Sequence, residues 1–417
     1  MMGIAWNSLR NRWPTALLAV LAISMSVALI LTVEKIRRDA RSSFTQTVSG
    51  TDLIIGARSG AVQLLLYSVF RIGNATNNIS WESVEDIRNR AAIDWIIPIS
   101  LGDSHAGFRV LGTNEDYFSH YRYGAKQALS FAAGVQFSDV FDAVIGSEVA
   151  AQLGYKVGDQ MVVAHGTGRV ALVEHENQPF TVSGILRPTG TPVDRAVHVS
   201  LEGIEAMHVD WQNGAQIKGD GTDAETIRAM DLQPRAVTAL LVGLKSRATV
   251  FREQRAINTY RAEPLLAILP GVALQELWGL VSVAEMALMI VSVCVVVAGL
   301  VNLISVLLAG LNERRREMAI LRSAGARPVH VFLLLCIEST LLTLCGLALG
   351  LVLHFVLAGL GAAFLQERFG LSIALAWPGS TELKILLAIA VAGLAAGSLP
   401  ALQAYRNSLA DGLSQRL

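Results

Sequence analysis

"NERRREMAILRSAGARP", residues Asn312–Pro328, sets five arginines in a short stretch between two runs of residues too apolar for water. Glu313 to Ser323 suits a helix, Gly325 can end it in a left-handed conformation, and Pro328 prevents its continuation. Met318, Ile320 and Leu321 give the helix an apolar side, while Glu317 and the arginines line the others. Two readings are open on these residues alone. One is an anchoring loop whose arginines lie at lipid headgroups. The other is a docking helix, a compact knob whose apolar side fits a groove on a partner.

The runs on either side decide the class. Val281–Leu311 and Val329–Leu357, with Pro14–Val33 and Leu383–Leu399, are each long enough for a hydrocarbon core that needs about 20 residues. A backbone crossing lipid must satisfy its own polar groups, so four helices are expected. The composition agrees: 52% of the 417 residues are hydrophobic and only 16% charged, with a mean hydropathy of +0.46. A soluble domain carries roughly a quarter charged residues. The formal net charge is zero, which gives no sign of nucleic acid. Arg10 and Arg12 precede the first run as they would a signal peptide, but no small-x-small cleavage site closes it before "VEKIRRDAR", so a retained anchor is expected.

The expected organisation is an α-helical membrane protein with a large extracytoplasmic α+β domain between the first and second of four transmembrane helices. Residues 1–13 form an N-terminal segment, 14–33 the first crossing and 34–278 the soluble domain. The second crossing is 279–311, the docking segment 312–328 and the third crossing 329–357. A loop at 358–381, the fourth crossing at 382–400 and a tail at 401–417 complete the chain. The soluble domain of about 240 residues is ample for its own core. Its strands are read from short β-branched runs such as "TDLIIG", "IDWIIPISL", "FRVLGT", "DQMVVAHG", "FTVSGILR" and "AVHVSL". "WESVEDIRNRAA" follows Ser80 as an N-cap, and "SEVAAQLG" ends on Gly154. The Gly-rich patch "DWQNGAQIKGDGTDAE" reads as a loop between two lobes. Cys294, Cys336 and Cys345 all lie in apolar helices, so the soluble domain has no disulfide.

Chemistry is scarce. G-x-x-x-x-G-K-[ST] is missing, so these residues do not cradle ATP, and neither H-E-x-x-H nor G-x-S-x-G occurs. His105, His120, His165, His175, His198 and His208 lack tight ligand spacing, and no metal, catalytic or cofactor residue is assigned. Glu338 and Asn302 are polar groups inside crossings, where such groups face protein or water. Gly346 and Gly350, and Gly393 and Gly397, have the spacing that permits close helix contact, more readily for internal packing than for a dimer seam.

"RRREMAILRSAGA" resembles the cytoplasmic coupling segment of MacB/FtsX-type ABC transporter permeases, the FtsX-like permease family. "VIGSEVAAQLGYKVGDQMVV", "FTVSGILRPTGTPVDRAVHVSL" and "SLPALQAYRNSLADGL" are similar to that family's extracytoplasmic domain and C-terminal end. The stretches Tyr121–Gln136 and Asp210–Glu225 depart from it. The resemblance implies that Glu313, Arg314, Arg315, Arg316, Glu317, Ile320, Leu321, Arg322, Gly325 and Ala326 contact a separate ABC ATP-binding subunit. It further implies two copies of that subunit, which binds ATP and Mg, and a dimer of this chain, with a related permease as an alternative second protomer. Membrane lipid and a periplasmic accessory protein or lipoprotein are the other implied partners. The expected location is the bacterial inner membrane. Arg10, Arg12, Arg314, Arg315, Arg316, Arg322, Arg327 and Arg406 put the termini and the docking segment in the cytoplasm, against Lys35, Arg37, Arg38, Arg41, Arg368 and Lys384. The implied function is to turn ATPase motion into movement of the extracytoplasmic domain, exporting or extracting lipoprotein, peptide or amphiphile. The alternative is a regulator that passes this motion to a cell-wall hydrolase.

Overall fold

The computed structural model describes residues 13–47, 49–165, 173–174, 178–209, 211–212, 215–216, 222–313, 325–369 and 377–410. The chain divides into two compact units. One holds residues 1–40, 282–368 and 372–417; the other holds 41–281 with 369–371.

In the second unit a twelve-stranded sheet carries the architecture. Its main path uses β1 (Leu53–Ala57), β2 (Ile93–His105), β3 (Phe108–Thr113), β4 (Phe131–Gly134), β5 (Asp142–Ile145), β6 (Phe180–Leu186), β7 (Ala196–Ser200), β8 (Ala239–Leu244) and β9 (Leu265–Ile268). The spatial order is β9-β1-β8-β2-β3-β7-β5-β6-β4. Along this path β3 pairs with β7, and β5 with β6, in parallel. The other neighbours are antiparallel. Both faces are covered. Along β1, Ile54 enters one core cluster while Leu53 and Ile55 enter another. Along β8, Leu241 joins the first and Leu240 and Val242 the second. A strand buried on both faces needs apolar residues at every position, which is why "ALLVGL" and "LIIGA" do not alternate.

Short helices flank the sheet: α2 (Ala61–Ser68), α3 (Trp81–Arg88), α4 (Asp116–His120), α5 (Ser147–Leu153), α6 (Leu201–Met207), α7 (Ala224–Arg228) and α8 (Val250–Asn258). The Ser80 hydroxyl accepts from the Ser83 amide at the start of α3, and Gly154 ends α5 at φ +75°. Two expectations need correction. One sheet runs through the unit, so the chain does not part into two lobes at the Gly-rich patch, much of which lies outside the described residues. "DQMVVAHG" is strand only at Gln160–Met161 and Ala164–His165.

The first unit is helical. Four helices contain spans long and apolar enough to cross a membrane: α1 (Trp13–Thr47), α9 (Pro270–Glu313), α10 (Pro328–Phe369) and α11 (Ser380–Ala410). Each runs past the crossing expected within it. The segment 358–381, expected as a loop, is helical through Phe369, because "LAGLGAAFLQERF" contains no proline and its glycines are tolerated inside a helix. α1 sits at the centre of the unit. Its Ala19, Ile23, Val27, Ile30 and Leu31 share a core with Leu303 and Leu307 of α9, Leu342 of α10 and Ile389 of α11.

Candidate functional site

The docking segment falls largely outside the described residues, at 314–324, so Arg314, Arg315, Arg316, Glu317, Ile320, Leu321 and Arg322 have no structural account. Its two ends do. Glu313 is the last residue of α9, and Gly325 stands at φ +91°, a conformation open to glycine and strained for other residues. Ala326 is half-buried. The Arg327 amide donates to His330 Nδ1 at 3.0 Å as α10 begins. Leu308, before the segment, and Val331 and Leu335, after it, pack in one cluster with Ala401 and Ala404 of α11. The bases of α9 and α10 are thereby fixed against a third helix at the point where the segment leaves them.

Small residues set the spacing of the bundle. A Cβ added to Gly346 would lie 2.7 Å from Ile23 Cβ, and one added to Gly350 would lie 2.7 Å from Val27 Cβ and 2.8 Å from the Ser24 carbonyl oxygen. This glycine pair of α10 therefore lies directly on α1. Gly393 and Gly397 of α11 lie on Thr343 and Ser339 of α10 in the same way. Gly299 of α9 faces Ser26 of α1, whose hydroxyl is 2.8 Å from the Ala22 carbonyl and 3.0 Å from that of Val295 in α9. Such close approach substitutes packing for the hydrophobic driving force that lipid removes. Glu338 is only 6% exposed and Asn302 is half-buried.

Four polar links escaped sequence reasoning. Thr32 of α1 and His354 Nδ1 of α10 share a hydrogen bond of 3.0 Å. At the end of the α1 span, Glu34 pairs with Arg37 and Lys35 with Asp39, both at 2.8 Å. Arg38 reaches Glu382, in the first turn of α11, through its two terminal guanidinium nitrogens. In the sequence alone, Arg37, Arg38 and Lys35 are charges that bear only on orientation. The signal that could have found the link is a lone acidic residue at the start of an apolar helix, opposite a basic cluster. Among the described residues no group of His, Cys, Asp and Glu could hold a metal ion.

Comparison with known proteins agrees with this architecture. Residues 16–259 match the MacB-like periplasmic core domain, and residues 289–409 match the FtsX-like permease C-terminal region. The chain is 24% identical over 407 residues to the macrolide export ATP-binding/permease protein MacB of Bdellovibrio bacteriovorus, with 93% of this chain and 57% of that protein covered. It is 31% identical over 138 residues to the protein of the same name from Shewanella sp. (strain ANA-3), covering 32% of this chain and 20% of that one. The chain thus spans little more than half the length of such relatives, or less. Among solved structures, the periplasmic region of MacB from Actinobacillus actinomycetemcomitans is similar at 12% identity and a TM-score of 0.34, with 55% of this chain and 92% of that one covered. The core-domain match alone takes in more than half of the residues, and the four apolar helices, taken with the permease family match, place the chain among multi-pass inner-membrane proteins. The chain belongs to the MacB/FtsX-type permease family of ABC transporters.

Proposed function

We propose that the chain is a transmembrane subunit that receives force from an ABC ATPase on a separate polypeptide and delivers it to its own extracytoplasmic unit. The observation that carries this reading is the continuity of α9. Its 44 residues run unbroken from the sequence of the soluble unit to the edge of the docking segment. At 1.5 Å per residue such a helix is roughly 66 Å long, about twice the thickness of a hydrocarbon core. An unbroken helix of that length passes displacement along its axis instead of absorbing it.

ATP and Mg are bound by two copies of the ATPase, and two copies of this permease, or this chain and a related one, complete the complex. Coupling requires that the ATPase dock better on one arrangement of the helices than on another. Glu313–Ala326 is the docking segment, with both termini on its cytoplasmic side. Few polar groups lie inside the crossings, which favours leverage over a water-filled path. The cargo class is a lipoprotein, peptide or amphiphile taken from the outer leaflet or periplasm. The curated relatives bear the name of macrolide exporters, which favours transport over signalling to a cell-wall hydrolase.

The test is co-purification. Leu321→Asp or Gly325→Val should abolish association with the ATPase while membrane insertion persists. Association that survives both changes would remove the docking assignment. A cysteine placed in residues 313–326 should resist an impermeant thiol reagent in intact cells, and labelling from outside would reverse the orientation.

A further inference from the structure

The helical unit is tied together unevenly. Three of its helices are joined at several levels. Gly346 and Gly350 of α10 lie on Ile23 and Val27 of α1, and Gly393 and Gly397 of α11 lie on Thr343 and Ser339 of α10. At the end where α1 leaves for the soluble unit, buried polar groups complete the set. Thr32 of α1 bonds the buried His354 of α10, and Arg38 of α1 pairs with the buried Glu382 of α11. Drawing these helices apart would strand a covered carboxylate and a covered imidazole, which such groups resist strongly.

The second crossing, α9, is held differently. Within residues 282–310 its buried positions are Ser292, Gly299, Leu303 and Leu307, and the last two share the core with α1. From Val281 to Val291 no residue is buried, and Val283, Met286 and Ile290 are exposed on successive turns. At the same end of the bundle Ile30, Leu31, Glu34 and Lys35 of α1 and His354 and Ala358 of α10 are all buried. In lipid the apolar side chains of this arm need no protein cover, so their exposure does not ask for a partner. Its consequence is mechanical. Few packing contacts oppose displacement of the arm, which is the condition for local motion.

Where the arm meets the bundle, the contact is made of small residues. A Cβ added to Gly299 would lie 2.9 Å from Ser26 Oγ and 3.5 Å from the Ala22 carbonyl oxygen. Backbones that approach over glycine, alanine and serine have no long side chains interlocked between them, so a small tilt forces no repacking. Ser26 adds a second property. Its hydroxyl is 2.8 Å from the Ala22 carbonyl in its own helix and 3.0 Å from the Val295 carbonyl in α9, and its single hydrogen serves one of them at a time. When α9 tilts away, the hydroxyl turns to Ala22 and no donor is left unsatisfied. The Val295 carbonyl keeps the helical bond from the Gly299 amide, four residues on. This link opens easily, and the one between Arg38 and Glu382 does not.

We propose that Ser26 and Gly299 form a pivot on which the Val281–Val291 arm of α9 tilts against α1, α10 and α11, which move as one body. The force-transmission reading supplies the source of the movement, and the pivot deepens it; the freedom of the arm is a property of this chain alone. Met286 stands thirteen residues before Gly299. That is roughly 20 Å along the helix, so a tilt of about 10° carries it about 3 Å. Small relative movements of packed helices are a known mode of conformational change.

Distances between spin labels test this in the full chain in nanodiscs, with Cys294, Cys336 and Cys345 replaced by alanine and the labelled chain diluted into unlabelled chain. Ile36→Cys in α1 is combined with Met286→Cys in α9, Val356→Cys in α10 or Leu383→Cys in α11, all exposed positions. The Ile36–Met286 distribution should be roughly twofold wider than the other two. Gly299→Leu, which wedges the contact, should shift its mean by about 3 Å, and Ser26→Ala should widen it, while the Ile36–Val356 and Ile36–Leu383 distributions stay as in the parent. Three equally narrow distributions would overturn the pivot. So would variants that move all three pairs together, or an Ile36–Met286 distribution that neither variant changes. These distances require no ATPase, so a failed docking test and a failed pivot are separate results.

Discussion

Arg38 of α1 and Glu382 of α11 form a two-point ion pair in which the carboxylate is 1% exposed and the guanidinium still reaches solvent. It ties the central helix of the bundle to the first turn of the last helix, where a negative charge also meets the helix dipole.

The asymmetry of that pair gives the first prediction. Arg38→Gln strands a buried carboxylate and should cost about 3 kcal/mol, whereas Glu382→Gln leaves an arginine that can turn to water and should cost about 1–2 kcal/mol. Thermal unfolding in detergent measures both, and an equal or reversed order would contradict the burial seen here.

The glycine contacts give a second. Gly350→Val must displace Val27 and the backbone of α1, and overpacking of this kind costs about 1–3 kcal/mol. Gly359→Ala meets nothing within 4 Å and should be neutral or slightly stabilising, since alanine is the better helix former. Unfolding temperatures of the two variants, compared with the parent, check the pair.

His198 makes stability depend on pH. Its folded pKa, about 3, lies below the usual histidine value near 6.5, so between these limits the unfolded chain binds the extra proton. Its contribution is complete above pH 6.5 and is lost as the pH falls towards 3, by up to about 1.4 kcal/mol per pH unit. His198→Gln should flatten the dependence of the denaturation midpoint between pH 4.5 and 6.5 by the equivalent of one proton. An unchanged slope would mean the ring is already charged in the native state.

At the start of α3, the Glu263 carboxylate accepts from the Ser80 amide and hydroxyl, and the Ser80 hydroxyl accepts from the Ser83 amide. Ser80→Ala and Glu263→Gln should each cost about 1 kcal/mol. Because they share one network, the double variant should lose less than the two singles combined, as read from chemical denaturation.

The sequence by itself determined the class of the protein. Four apolar runs dictate four helices because lipid offers the backbone no partner, and Ser80 and Gly154 marked helix ends through local hydrogen bonding and local φ. Gly325 was equally legible, since its left-handed backbone is a property of one residue. Tertiary structure alone decided the rest. That Gly346 and Gly350 face Ile23 and Val27, that Arg38 finds Glu382 across 344 positions, and that the Tyr117 ring meets that of His198 each depend on which distant elements are neighbours. Periodicity reports which face of an element is apolar; the partner that covers the face is set by packing of the whole chain.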